Sequence, residues 1–242
     1  MFRIVTYSGA VAAAIIAAIA GLVFFLDSRP QFAFADVIKN VNDSKSVTFI
    51  TKMPTIVQGT RRGVLQQKFY IQGDSYRMEI PSAQEDIQAP PDAPPIVAVL
   101  IADWQQRKAI LLDYTTKTAK MIETDEKTWN GMAKAMADPV KQLRQLKEQD
   151  AERLADEDLN GVKMQVYRLK KKEIFMGLTQ SPDESAKLWV DPKTGLPARI
   201  AQGEIGDKDK PFCIFEQFAW NEKLDPNLFK LEIPQGFTLK DK

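Results

Sequence analysis

The 242-residue chain contains no histidine and one cysteine, Cys213. Lack of imidazole removes the commonest general base, the commonest zinc ligand and the triads built on serine or cysteine with histidine. A lone thiol gives no internal disulfide and no thiolate metal cluster, and between Phe212 and Ile214 it is expected to be buried. Gly59 and Gly63 lack the spacing and the following helix of a phosphate-cradling loop. Carboxylate-only chemistry of the glycosidase kind needs a pair, but among 32 acidic residues a pair arises by chance. The formal net charge of +1 offers nucleic acid no electrostatic footing. The chain therefore reads as a non-enzyme, with no cofactor and no metal expected.

What remains is binding chemistry. Large apolar groups recur where strand and helix periods turn them to one side: Phe49, Phe69, Met78, Val99, Leu111, Met121, Trp129, Met132, Met136, Phe218 and Trp220. Such groups either fill a dry core or line a cavity for a flexible apolar ligand. They form the candidate ligand-binding set. A basic run, Arg168 with Lys170, Lys171 and Lys172, could touch anionic head groups or blunt a sheet edge.

Positioning these residues falls to a series of short elements. Phe34, Val37, Ile38 and Val41 follow the i, i+3, i+4, i+7 rule and predict an amphipathic helix ending near Asn42-Asp43-Ser44. Ser46–Thr51 predicts a strand. Gly63–Gln72 and Ser75–Ile80 predict a hairpin about Gly73-Asp74. Pro81–Pro95, with Pro90-Pro91 and Pro94-Pro95, cannot join a ladder and reads as an exposed loop. Ile96–Ala102 is almost wholly apolar, so one face should meet the core and the other some second cover. Lys108–Tyr114 and Thr118–Glu123 continue an antiparallel meander.

The period then changes. Trp129, Met132, Ala133, Met136, Val140, Leu143 and Leu146 share a helical face from Asp125 to Gln149, with Asp138-Pro139 as a break into two helices. Strands return as Ala151–Asp158 and Val162–Leu169 around Asn160-Gly161, then Ser185–Val190 and Leu196–Gly203. In Phe212–Trp220, simple alternation puts Phe212, Ile214, Phe218 and Trp220 on one face. A single antiparallel sheet with so many inward aromatic and Met groups must close on itself or hold a ligand.

Ahead of all this lies Ile4–Leu26, without a charge. As a helix it would span roughly 34 Å, enough to cross a bilayer core. The run exceeds a usual secretory signal core, which favours an uncleaved signal-anchor, although Ala33-Phe34-Ala35 offers an A-x-A cleavage site. Arg3 on the short side places the amino terminus in the cytoplasm and the rest outside. The expected organisation is an anchor over 1–27, a linker over 28–35 and an extracytoplasmic domain over 36–242.

The segment Leu188-Trp189-Val190-Asp191-Pro192-Lys193-Thr194-Gly195-Leu196-Pro197-Ala198-Arg199 resembles a hairpin of the LolA-like superfamily of outer-membrane lipoprotein carriers and their relatives. Phe218-Ala219-Trp220-Asn221, Leu224-Asp225-Pro226, Leu228-Phe229, Ile233-Pro234 and Gly236-Phe237 are similar to that family's last strand and tail. The resemblance implies an α+β fold in which a strongly curved antiparallel sheet, an incomplete barrel, wraps a few helices around an apolar cavity. It also implies a lipid or lipoprotein acyl chain as ligand, at a bacterial inner membrane with the domain in the periplasm. The alternative within the same resemblance is a sensor or regulatory module that contacts another envelope protein.

Overall fold

A computed structural model describes residues 31–57, 60–82, 93–123, 125–127, 129, 139–170, 186–203 and 213–240, without the side chains of 55–57 and 60–62. The Ile4–Leu26 anchor, most of the Pro81–Pro95 loop, Met132, Met136, Lys171 and Lys172 lie outside these residues.

The predicted first helix forms as α1 (Phe34–Asp43), and Phe34, Val37, Ile38 and Val41 are its buried face. The next strands are β1 (Ser46–Val57), β2 (Thr60–Gln72), β3 (Ser75–Pro81), β4 (Ile96–Asp103), β5 (Lys108–Asp113) and β6 (Thr118–Glu123). Turn chemistry explains their register. Gly73 takes φ 59° at the first centre of the β2–β3 turn, and Gln72 pairs with Ser75 directly across it. Among the described residues helix α2 runs over Pro139–Arg144, and a 3-10 turn at Glu148–Asp150 follows it; the expected Asp138-Pro139 break involves residues outside the described ones.

The expected strand over 151–158 is split into β7 (Ala151–Arg153) and β8 (Glu157–Leu159), which pair with opposite ends of β9 (Val162–Leu169). The Arg153 guanidinium bonds Asp156 and the Leu154 carbonyl at the kink between them. Asn160 and Gly161 both adopt positive φ, 54° and 78°, as a two-residue type I′ turn requires. Then follow β10 (Ala186–Val190), β11 (Pro197–Gln202), β12 (Cys213–Trp220) and the short β13 (Thr238–Leu239).

These strands make one sheet in the order β13-β6-β5-β4-β3-β2-β1-β12-β11-β10-β9-β7, antiparallel except where β13 joins β6. Laid flat, the spacings of about 4.8 Å between these twelve strands would span roughly 53 Å. Yet side chains of β1–β5 and of β9–β12 share one core with α1 and α2, and the Phe34 ring lies 5.2 Å from Tyr167 on β9. The sheet therefore curls around the helices, and its end strands, β13 and β7, do not pair with each other.

Both faces of β4 are covered, as its apolar run requires. Leu100 and Ala102 face the main core. Val99 and Ile101 lie on the convex side with Ile110, Leu112 and Ala119. The second cover is the C-terminal segment: Leu231 and Phe237 pack there, Phe237 meets Tyr114 edge-on at 5.0 Å, and Arg77 Nη1 donates to the Leu228 carbonyl at 3.1 Å.

In β12 the alternation fails at one point. Gln217 has φ 57°, and Gln217 with Phe218 stands opposite the single residue Phe49 of β1. This bulge resets the phase, so Phe215, not Ile214, faces the core, and Phe218 faces it again beyond the bulge. The expected one-sided set of Phe212, Ile214, Phe218 and Trp220 is corrected accordingly; Phe212 itself lies outside the described residues.

Candidate apolar site on the concave face

Successive registers build one row across the inner face: Phe49 on β1 pairs with Phe69, Phe69 with Met78, Met78 with Leu100, Leu100 with Leu111, and Leu111 with Lys120 on β6. Four strand spacings from Phe49 to Leu111 amount to roughly 19 Å. The two ends of this path differ in burial, and Met78 between them is half-buried. Phe49 is 1% exposed, Phe69 4%, Leu100 9% and Leu111 38%. Where α1 and α2 cover the sheet the row is core; beyond them its side chains are open to water and end at the exposed ammonium of Lys120.

A chain of rings runs off the buried end. Trp220 and Phe218 stack at 5.6 Å, Phe218 and Phe49 at 5.2 Å, and Phe49 and Phe69 at 4.8 Å. Phe69 then meets Tyr76 at 5.8 Å, Tyr76 meets Trp104 at 5.7 Å, and Trp104 meets Trp129 at 5.3 Å. Aromatic pairs of this geometry contribute about 0.5–1.5 kcal/mol each beyond their burial. Trp220 keeps its indole N–H satisfied by donating to the Pro197 carbonyl at 2.8 Å. The rings thus stiffen the buried end of the row, while Leu111 at the other end is 38% exposed.

The sequence-expected residues divide by face. Phe49, Phe69, Met78 and Leu111 come together in the row, and Phe218, Trp220 and Trp129 join it through rings. Val99 and Met121 do not: both sit on the convex side under the C-terminal segment. A one-residue phase difference on β4 and β6 explains this, because Leu100 and Lys120 occupy the inner positions. Met132 and Met136 are outside the described residues. Leu100 and Lys120 were not among the expected residues. Their phase is visible only in the packing, where Leu100 joins the main core and Val99 and Met121 the convex cluster.

Cys213 sits on the inner side of β12 with no exposure, and burial pushes its thiol up to about 12. It is a packing group. At the opposite end of the helix layer, Gln165 Oε1 accepts from Phe32 N at 3.1 Å and the Tyr167 hydroxyl donates to the Phe32 carbonyl. The Asp191–Leu196 turn meets the same segment, with Asn40 Nδ2 donating to the Thr194 carbonyl at 3.2 Å. The turn at Asp191–Leu196 therefore fastens α1 to the sheet.

No protein-family model matches the chain, and no curated protein matches it. Among solved structures it is similar to lipoprotein LppX of Mycobacterium tuberculosis, with a TM-score of 0.48 and 8% identity over 80% of this chain and 95% of that one. It is also similar to LprF of Mycobacterium bovis, with a TM-score of 0.46 and 11% identity over 85% of this chain and 96% of that one. A third similar structure is an outer membrane lipoprotein-sorting protein domain from Vibrio parahaemolyticus. There the TM-score is 0.33 and the identity 14%, over 81% of this chain and 94% of that one.

Proposed function

We propose that this chain binds a lipid or lipoprotein acyl chain along the concave face of its sheet. The proposal includes residence outside the cytoplasm, with Ile4–Leu26 as the tether to the inner membrane. The observation that carries the binding reading is the row from Phe49 to Leu111, whose outer members remain apolar and partly exposed. An apolar chain laid there removes that surface from water at about 25 cal/mol per Å². The tether adds a constraint of reach. Few residues separate Leu26 from α1 at Phe34, so the domain operates near the membrane surface rather than across an envelope. Mass spectrometry of an organic extract of the purified chain should show co-purifying lipid, and a fluorescent fatty acid should be taken up. A clean extract with no uptake would sink the proposal.

A further inference from the structure

A groove of about 360 Å³ lies on the other side of the sheet, between the β8–β9 hairpin and the bulge of β12. Its apolar lining includes Leu159, Val162, Met164 and Ala198, and Phe218 reaches its edge at the bulge. Its polar lining includes Arg199 and Glu216, which face each other across β11 and β12. The volume falls at the low end of small-ligand sites.

The charges around it do not cancel. Glu216 is paired with Lys52 at 3.2 Å, and Glu157 is paired with Lys187 at 2.7 Å and accepts from Trp189 Nε1 at 3.0 Å. Arg199 has no carboxylate partner among the described residues; its guanidinium lies 5.4 Å from the centre of the Trp189 ring, and its Nε is buried without a hydrogen-bond acceptor. One guanidinium, stacked and held in place, therefore carries an uncompensated positive charge at the wall of an apolar groove. Guanidinium recognises carboxylate through paired charge-assisted hydrogen bonds.

From this juxtaposition we infer that the groove is a second binding site, distinct from the concave row, for a small apolar monocarboxylate. Its carboxylate meets Arg199 and its hydrophobic body covers Val162, Met164 and Ala198. A single charge suffices, because Arg199 is the one lining cation without a carboxylate partner among the described residues, and its cross-strand neighbour Glu216 is already held by Lys52.

Photoaffinity labelling of the full chain with 4-benzoylbenzoate tests this, with the neutral 4-benzoylbenzamide as comparison and peptide mapping as readout. The expected result is saturable labelling of the 159–164 and 198–199 peptides by the carboxylate, with the amide weaker by about tenfold or more. Arg199→Gln should bring the carboxylate down to the level of the amide. Val162→Glu, at a hairpin position 38% exposed and so compatible with folding, should do the same by repulsion. Leu111→Asp, on the concave face, should leave this labelling unchanged, which separates it from the site proposed above. Equal labelling by both probes, insensitivity to both groove variants, or labelling confined to other peptides would overturn the inference.

Discussion

Leu111 and Phe69 stand in the same cross-strand row, and truncating each should have opposite consequences. Phe69 is 4% exposed and stacks on Phe49 at 4.8 Å, so Phe69→Ala removes core volume and two ring contacts. Its expected cost is about 3–5 kcal/mol of stability. Leu111 is 38% exposed, so the fold has less to lose there, about 1–2 kcal/mol from the buried remainder of the side chain. Its exposed share is what a ligand would cover. Full burial of a leucine contributes about 1.5–3 kcal/mol, so covering the exposed 38% contributes about 0.6–1.1 kcal/mol to binding. That corresponds to roughly three- to sixfold weaker binding by Leu111→Ala. Urea denaturation supplies the stabilities and titration with a fluorescent fatty acid the affinities. Unchanged affinity in Leu111→Ala, or a stability loss there equal to that of Phe69→Ala, would refute the reasoning.

Gly195 holds φ +66°, and a Cβ on it would lie 2.5 Å from Asn40 Nδ2 and 2.8 Å from the Phe32 ring. Gly195→Ala should therefore lower stability by about 1–3 kcal/mol in thermal or chemical melts. Gln217 holds its bulge at φ 57°, a region costly for non-glycine residues, and Gln217→Gly should stabilise by about 0.4–1 kcal/mol in the same melts. Burial pushes the Cys213 thiol from its ordinary 9.0 up to about 12, so its contribution is complete below pH 9 and is lost as pH rises toward 12. About 4 kcal/mol is lost across that window. Stability measured from pH 9 to pH 11 should therefore fall more steeply in the native chain than in Cys213→Ala, and parallel slopes would count against it.

The elements were legible wherever one face is apolar and the other polar. The α1 face from Phe34 to Val41 and the type I′ turn at Asn160-Gly161 follow directly from spacing and turn chemistry. The double burial of β4 was also readable from Ile96–Ala102, though not that Leu231 and Phe237 provide the second cover. What sequence could not supply was phase. In a run apolar on both faces, Val99 and Leu100 are equivalent in composition, and only the packing of Leu100 in the main core distinguishes them. The bulge at Gln217 is invisible for a different reason: a glutamine with positive φ carries no composition signal, yet it exchanges the facing of Ile214 and Phe215. The split of the 151–158 strand depends on a kink where Arg153 bonds Asp156, a contact that propensity does not foresee.

The claim that the concave row receives an acyl chain is tested most directly by locating the chain. A fatty acid with a photoactivatable group along its tail, bound to the purified protein and irradiated, would leave adducts to be mapped by peptide mass spectrometry. Adducts on peptides carrying Met78, Leu100 and Leu111, suppressed by Leu111→Asp, are the predicted result. Adducts confined to the C-terminal segment around Leu231 and Phe237 or to Ile4–Leu26, with none on the row, would contradict it.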